Sequence, residues 1–111
     1  MTIHVVYSLD DWRNKGEEWS RALSALQTMA KGWPRVILKK GGDWALPKER
    51  WEKRFIAVIP EGGTPSWLQD GAAPIETIRL HPSRVEEGLA RLAILRNSSE
   101  NTAQLLLSRP V

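Results

Sequence analysis

The chain has 111 residues, a formal net charge of +3 and no cysteine. A chain of this length can bury roughly two-thirds of its unfolded surface, enough for a core without covalent staples. The missing cysteine excludes disulfides, thiolate zinc sites, iron–sulfur clusters and cysteine nucleophiles, and no apolar run reaches the roughly 18 residues a membrane helix needs.

Ile3-His4-Val5-Val6-Tyr7 is rich in β-branched and aromatic residues and predicts a first strand. No basic region precedes an apolar run in Met1–Val6, so no signal peptide is expected and the cytoplasm is the default setting. Ser8 with Asp11 three residues on is a helix start signal. Asp10 and Asp11 suit the positive end of a helix dipole. Trp12, Trp19, Leu23, Leu26 and Ala30 follow at spacings that place them on one helical stripe. Gly16 interrupts that stripe, and Gly32 with Trp33-Pro34 ends it. Val36-Ile37-Leu38 predicts a second strand and Lys40-Gly41-Gly42-Asp43 a turn. Pro47 opens a short helical stretch over 48–54, in which Glu49 and Lys53 are spaced to pair.

Phe55-Ile56-Ala57-Val58-Ile59 is apolar throughout, the pattern of a strand covered on both faces. It is therefore expected at the sheet centre, between the strands at 3–7 and 35–39. Residues 60–74 hold three prolines and three glycines and read as a loop, with Trp67-Leu68 inside it. Residues 75–80 read as a fourth strand. Ser83 and Glu86 form a capping box behind Pro82, and Val85, Leu89, Leu92 and Ala93 carry a helix to about Arg96, where Asn97-Ser98-Ser99 stops it. Residues 100–108 fit a helix by propensity and an edge strand by composition. The fold class expected is α/β: a small single domain over 1–111, with a mostly parallel sheet of about four strands, a long N-terminal helix and a second C-terminal helix.

Charge is unevenly placed. Segment 31–54 carries eight lysines and arginines against three acids, and the excess of five exceeds the net charge of the whole chain. These cations are Lys31, Arg35, Lys39, Lys40, Lys48, Arg50, Lys53 and Arg54, interleaved with Trp33, Trp44 and Trp51. Cations that track phosphates beside rings that stack on bases are the means by which single-stranded nucleic acid is held. Trp51 and Trp33 have packing roles available, which leaves Trp44, after the Gly-Gly turn, as the ring expected to be exposed. The sequence thus points to a non-enzymatic module that contacts nucleic acid through Lys31, Arg35, Lys39, Lys40, Trp44, Lys48, Arg50, Lys53 and Arg54. The alternative is a small inhibitor or adaptor that docks on an acidic protein surface through the same residues.

Other motifs are weaker. Lys39–Gly42 and Glu61–Thr64 are glycine loops after strands, whose amides can cradle phosphate, although neither matches a P-loop or a dinucleotide fingerprint. The second lies where open α/β sheets place ligands. Asp10-Asp11 and Glu17-Glu18 form a carboxylate group after the first strand, the basis of a third reading as a small enzyme. His4 and His81 have no second ligand at metal-binding spacing, and His81 suits a structural role. No catalytic residue, metal or cofactor is assigned.

Overall fold

The computed structural model describes residues 3–38, 54–69 and 74–108, with side chains described as far as Asn97. Four strands, β1 (Ile3–Ser8), β2 (Arg35–Leu38), β3 (Arg54–Pro60) and β4 (Glu76–Leu80), form one parallel sheet in the order β2-β1-β3-β4. The helices are α1 (Glu17–Ala30), a single-turn α2 (Ser66–Gln69) and α3 (Val85–Ser108). Two 3-10 turns, Leu9–Trp12 and Pro82–Arg84, follow β1 and β4.

The central pair is the most apolar, as burial on two faces requires. Every residue of β3 except Arg54 is buried. Its neighbours are β1 and β4 rather than the two earlier strands. β2 instead pairs with the far side of β1, in the register Val5↔Arg35 to Ser8↔Leu38. β2 suits that edge because Arg35 and Ile37 remain exposed.

Side chains alternate across the sheet and build two cores. Ile3, Val5, Tyr7, Ile56, Val58, Ile78 and Leu80 pack against Ala22 and Leu26 of α1 and Leu89 and Leu92 of α3. Val6, Leu38, Phe55, Ala57 and Ile59 lie on the other face, where Trp67 and Leu68 of α2 pack on them. Glycine makes one close approach possible: a Cβ on Gly88 of α3 would run into Leu80 Cδ2.

The N-terminal helix is shorter than its apolar stripe implied. The chain turns at Leu9–Trp12, passes Asn14 at φ 63° and Gly16 at φ 116°, and enters α1 only at Glu17. Ser8 makes no side-chain cap. Trp12 is buried ahead of the helix and meets Trp19 of α1 at 6.3 Å between ring centroids. The inward stripe of α1 is Ala22, Leu26 and Ala30, with Trp19 and Leu23 half-buried beside it. Gly32, at φ 89°, ends α1 as the sequence predicts.

The Ser83 capping box does not form in its expected sense. His81 occupies the cap position, and its Nδ1 accepts a hydrogen bond from the Ser83 amide at 3.1 Å. α3 passes through Asn97-Ser98-Ser99 without a break and runs for 24 residues, so the ambiguous stretch 100–108 is helical. The turn at 40–43 and the helical stretch 48–54 fall outside the described residues, except that Arg54 opens β3.

Candidate functional site

In this topology each long helix runs back against the strands. The carboxyl end of the sheet therefore gathers helix starts, and the amino end gathers helix ends. The described members of the basic segment lie at the amino end. Lys31 follows the last turn of α1. Arg35 opens β2 and pairs with Val5, while Arg54 opens β3 and pairs with Ile3. All three side chains are exposed. Arg35 Nη1 donates to the carbonyl of Ala30 at 3.1 Å, which answers the negative end of the α1 dipole.

Two further cations reach the same end from α3, and the sequence pattern did not indicate them. The Arg96 guanidinium lies 4.6 Å from the ring centroid of Trp33, just after α1. Arg91 Nη2 stands 3.4 Å from Glu76 Oε2, at the first residue of β4. The amino end thus brings together Lys31, Arg35, Arg54, Arg91 and Arg96, and Glu76 is the acid placed there among the described side chains. Trp33 is half-buried and packs on the α1–α3 core, the packing role expected of it. Lys39, Lys40, Trp44, Lys48, Arg50 and Lys53 lie outside the described residues, as do Trp51 and the Lys39–Gly42 glycine loop.

The carboxyl end has the opposite character. Asp10, Asp11, Glu17, Glu18, Glu61, Glu86 and Glu87 gather there, at the turn after β1, the first turns of α1 and α3, and the loop after β3. Most have local partners or solvent. Asp10 pairs with Arg13 at 3.0 Å, Glu17 with Arg21 at 3.1 Å, and Glu61 with Arg84 at 2.7 Å. Asp11 differs. It is half-buried, and its Oδ2 accepts from Trp67 Nε1 at 2.8 Å, a contact that ties the turn after β1 to α2. Burial raises the Asp11 pKa, the Trp67 hydrogen bond opposes the rise, and Asp10 and Lys15 act in opposite senses.

Ser8 ends β1 fully buried, and its Oγ has no hydrogen-bond partner among the described residues. His81 is held by Ser83 on one side and by an edge contact with Trp19, 5.3 Å between centroids, on the other. Among the described residues no group of three or more His, Asp or Glu side chains is placed to hold a metal ion. No helix in that set is long and apolar enough to cross a membrane.

No family model, curated protein or solved structure gives a significant match to this chain.

Proposed function

We propose that the protein is a non-enzymatic binding module that engages nucleic acid through segment 31–54 and the amino end of its sheet. The observation that carries this reading is the grouping of Lys31, Arg35, Arg54, Arg91 and Arg96 at one end of the sheet, where Glu76 is the one acid among the described side chains. Summed positive potential of this kind attracts phosphate chains and raises association rates. The remaining cations of the segment, Lys39, Lys40, Lys48, Arg50 and Lys53, enlarge the excess, and Trp44 supplies a ring for stacking.

Lys31 and Arg35 have a structural reason to stand at a helix end, so their position alone is weak support. Arg54 opens a strand, so a helix dipole does not account for its place. An inhibitor or adaptor role would use the same charge on an acidic protein.

Salt dependence separates these partners. Fluorescence anisotropy of a labelled single-stranded oligonucleotide, titrated at two salt concentrations, should show affinity falling steeply with salt. Arg35→Ala with Arg54→Ala should reduce the log–log slope by about one unit per lost phosphate contact. Absence of binding at low salt would sink the nucleic-acid reading and leave the acidic protein as partner.

A further inference from the structure

The strand order reverses direction between β1 and β3. In open parallel sheets, ligands bind outside the carboxyl ends of the strands at such a reversal. Here the chain leaves β1 into Leu9–Trp12 and leaves β3 into the loop 61–65. Between them is an open cleft of about 250 Å³. Asp11 and Lys15 form one wall, and Pro60 with the Gly62–Pro65 loop forms the other.

The loop is held from behind. Arg79 Nη1 donates to the Gly63 carbonyl at 3.0 Å, and Nη2 to Thr64 Oγ1 at 3.2 Å. Gln69 Nε2 donates to the Thr64 carbonyl at 2.6 Å. The Glu61 amide bonds to the carbonyl of Leu80, and the Glu61 carboxylate to Arg84. The loop's acceptors are thus turned toward framework donors. The amides of Gly62, Gly63 and Thr64 donate to no acceptor among the described residues. Gly62 sits at φ 123°, where side chains are disfavoured, and no atom lies within 4 Å of a Cβ built on Gly62 or Gly63. Successive unpaired amides in such a turn make an anion-binding concavity.

The opposite wall supplies two groups of contrasting chemistry. Lys15 brings an ammonium, its Nζ 4.8 Å from the Trp19 ring centroid. Asp11 has Oδ2 engaged by Trp67, which fixes the carboxylate and leaves Oδ1 to accept from a donor in the cleft. A bare anion would use the amides and Lys15 but would gain nothing from Asp11. A phosphomonoester with a hydroxyl near its phosphate satisfies both walls.

We infer that this cleft binds a small phosphorylated, hydroxyl-bearing compound, its phosphate on the Gly62–Thr64 amides and Lys15 and its hydroxyl on Asp11 Oδ1. The site is at the opposite end of the sheet from the basic amino end and stands independently of it.

Amide chemical shifts of the full chain, titrated separately with inorganic phosphate and ribose 5-phosphate, test the inference. Both probes should shift the Gly62, Gly63 and Thr64 amides. Ribose 5-phosphate should bind about tenfold more tightly, one hydrogen bond to a charged acceptor being worth that much. Lys15→Glu, at an exposed position, should weaken both by about tenfold or more. Asp11→Asn, whose amide oxygen can satisfy Trp67 while its NH2 faces the cleft, exchanges a charged acceptor for a neutral donor and should shrink the preference for ribose 5-phosphate without weakening inorganic phosphate. Neither variant should change oligonucleotide affinity. Unmoved loop amides, equal affinity for the two probes, or affinities indifferent to Lys15→Glu would each overturn the proposal.

Discussion

Replacing His81 tests the start of α3 where sequence and structure assign the cap differently. The sequence places the capping acceptor on Ser83. The structure places it on His81 Nδ1, which takes the Ser83 amide at 3.1 Å and lies 2.7 Å from Ser83 Oγ. An acceptor at Nδ1 requires the neutral ring with its proton on Nε2. His81→Ala removes that acceptor, worth about 0.5 to 2 kcal/mol for helix caps. It also removes the edge contact with Trp19 at 5.3 Å, worth about 0.5 to 1.5 kcal/mol for a well-packed aromatic pair. Both contacts are partly solvated, so the lower halves of these ranges apply, and a loss of about 1 to 2 kcal/mol is expected. Ser83→Ala keeps its amide and loses one exposed hydroxyl contact, so it should cost less than about 0.5 kcal/mol. His81→Asn should recover the capping part alone, because Asn caps well but has no ring to set against Trp19. Urea titration followed by tryptophan fluorescence reads all three. A Ser83→Ala loss equal to or larger than that of His81→Ala would refute the assignment and restore Ser83 as the cap.

Three other outcomes follow from packing and charge. Leu26, fully buried on α1, should lose about 3 to 4 kcal/mol on truncation to alanine, and half-buried Leu23 about half as much, in the same titrations. Gly88→Ala should fail to stabilise α3 despite a propensity gain of about 1 kcal/mol, because its Cβ meets fully buried Leu80; a higher melting temperature would contradict the packing. For Asp11 the folded pKa is raised, so the folded state holds the proton more tightly and stability falls as pH rises from the ordinary carboxyl value through the raised one. Asp11→Asn should flatten that part of a melting-temperature profile between pH 3 and 7, whereas an unchanged profile would remove Asp11 as its source.

The sheet was legible wherever burial on two faces left a continuous apolar run. Phe55–Ile59 is apolar at every position, and Ile3–Tyr7, broken only by half-buried His4, is legible from its β-branched and aromatic residues. The start of α1 was not legible, because Trp12 and Trp19 are seven apart and fit one helix face although the chain turns between them. The Asn14 and Gly16 positions, both with positive φ, were the turn signal that the spacing masked. The end of α3 was missed for a related reason. Asn97-Ser98-Ser99 is composed like a stop, but no Gly or Pro follows before Pro110, and the backbone hydrogen bonds continue. Histidine lies outside the usual cap residues, so Ser83 with Glu86 outweighed the signal of Pro82, which stands at the first helical position and marks His81 as the cap. The Asp11–Trp67 hydrogen bond joins residues 56 apart and has no sequence signal at all.

The charge asymmetry was half legible, and parallel topology explains the missing half. Helices that return against parallel strands bring their starts to one end and their ends to the other. Acids favour starts and cations favour ends. Glu17, Glu18, Glu86 and Glu87 at the carboxyl end and Lys31 and Arg35 at the amino end obey that rule and would do so in a protein with no anionic partner. Arg54 does not, since a strand start has only a small dipole. Stability and binding should therefore separate at this residue. Lys31→Ala and Arg35→Ala should each cost a few tenths of a kcal/mol of stability, up to about 1 kcal/mol, along with any loss of oligonucleotide affinity. Arg54→Ala should reduce oligonucleotide affinity and its salt slope while moving the urea midpoint by no more than an exposed side-chain contact is worth, about 1 kcal/mol or less. Paired anisotropy and urea measurements on the three variants decide the matter. If Arg54→Ala leaves affinity unchanged while Lys31→Ala and Arg35→Ala lower only stability, the basic amino end is a consequence of helix dipoles and not a surface for nucleic acid.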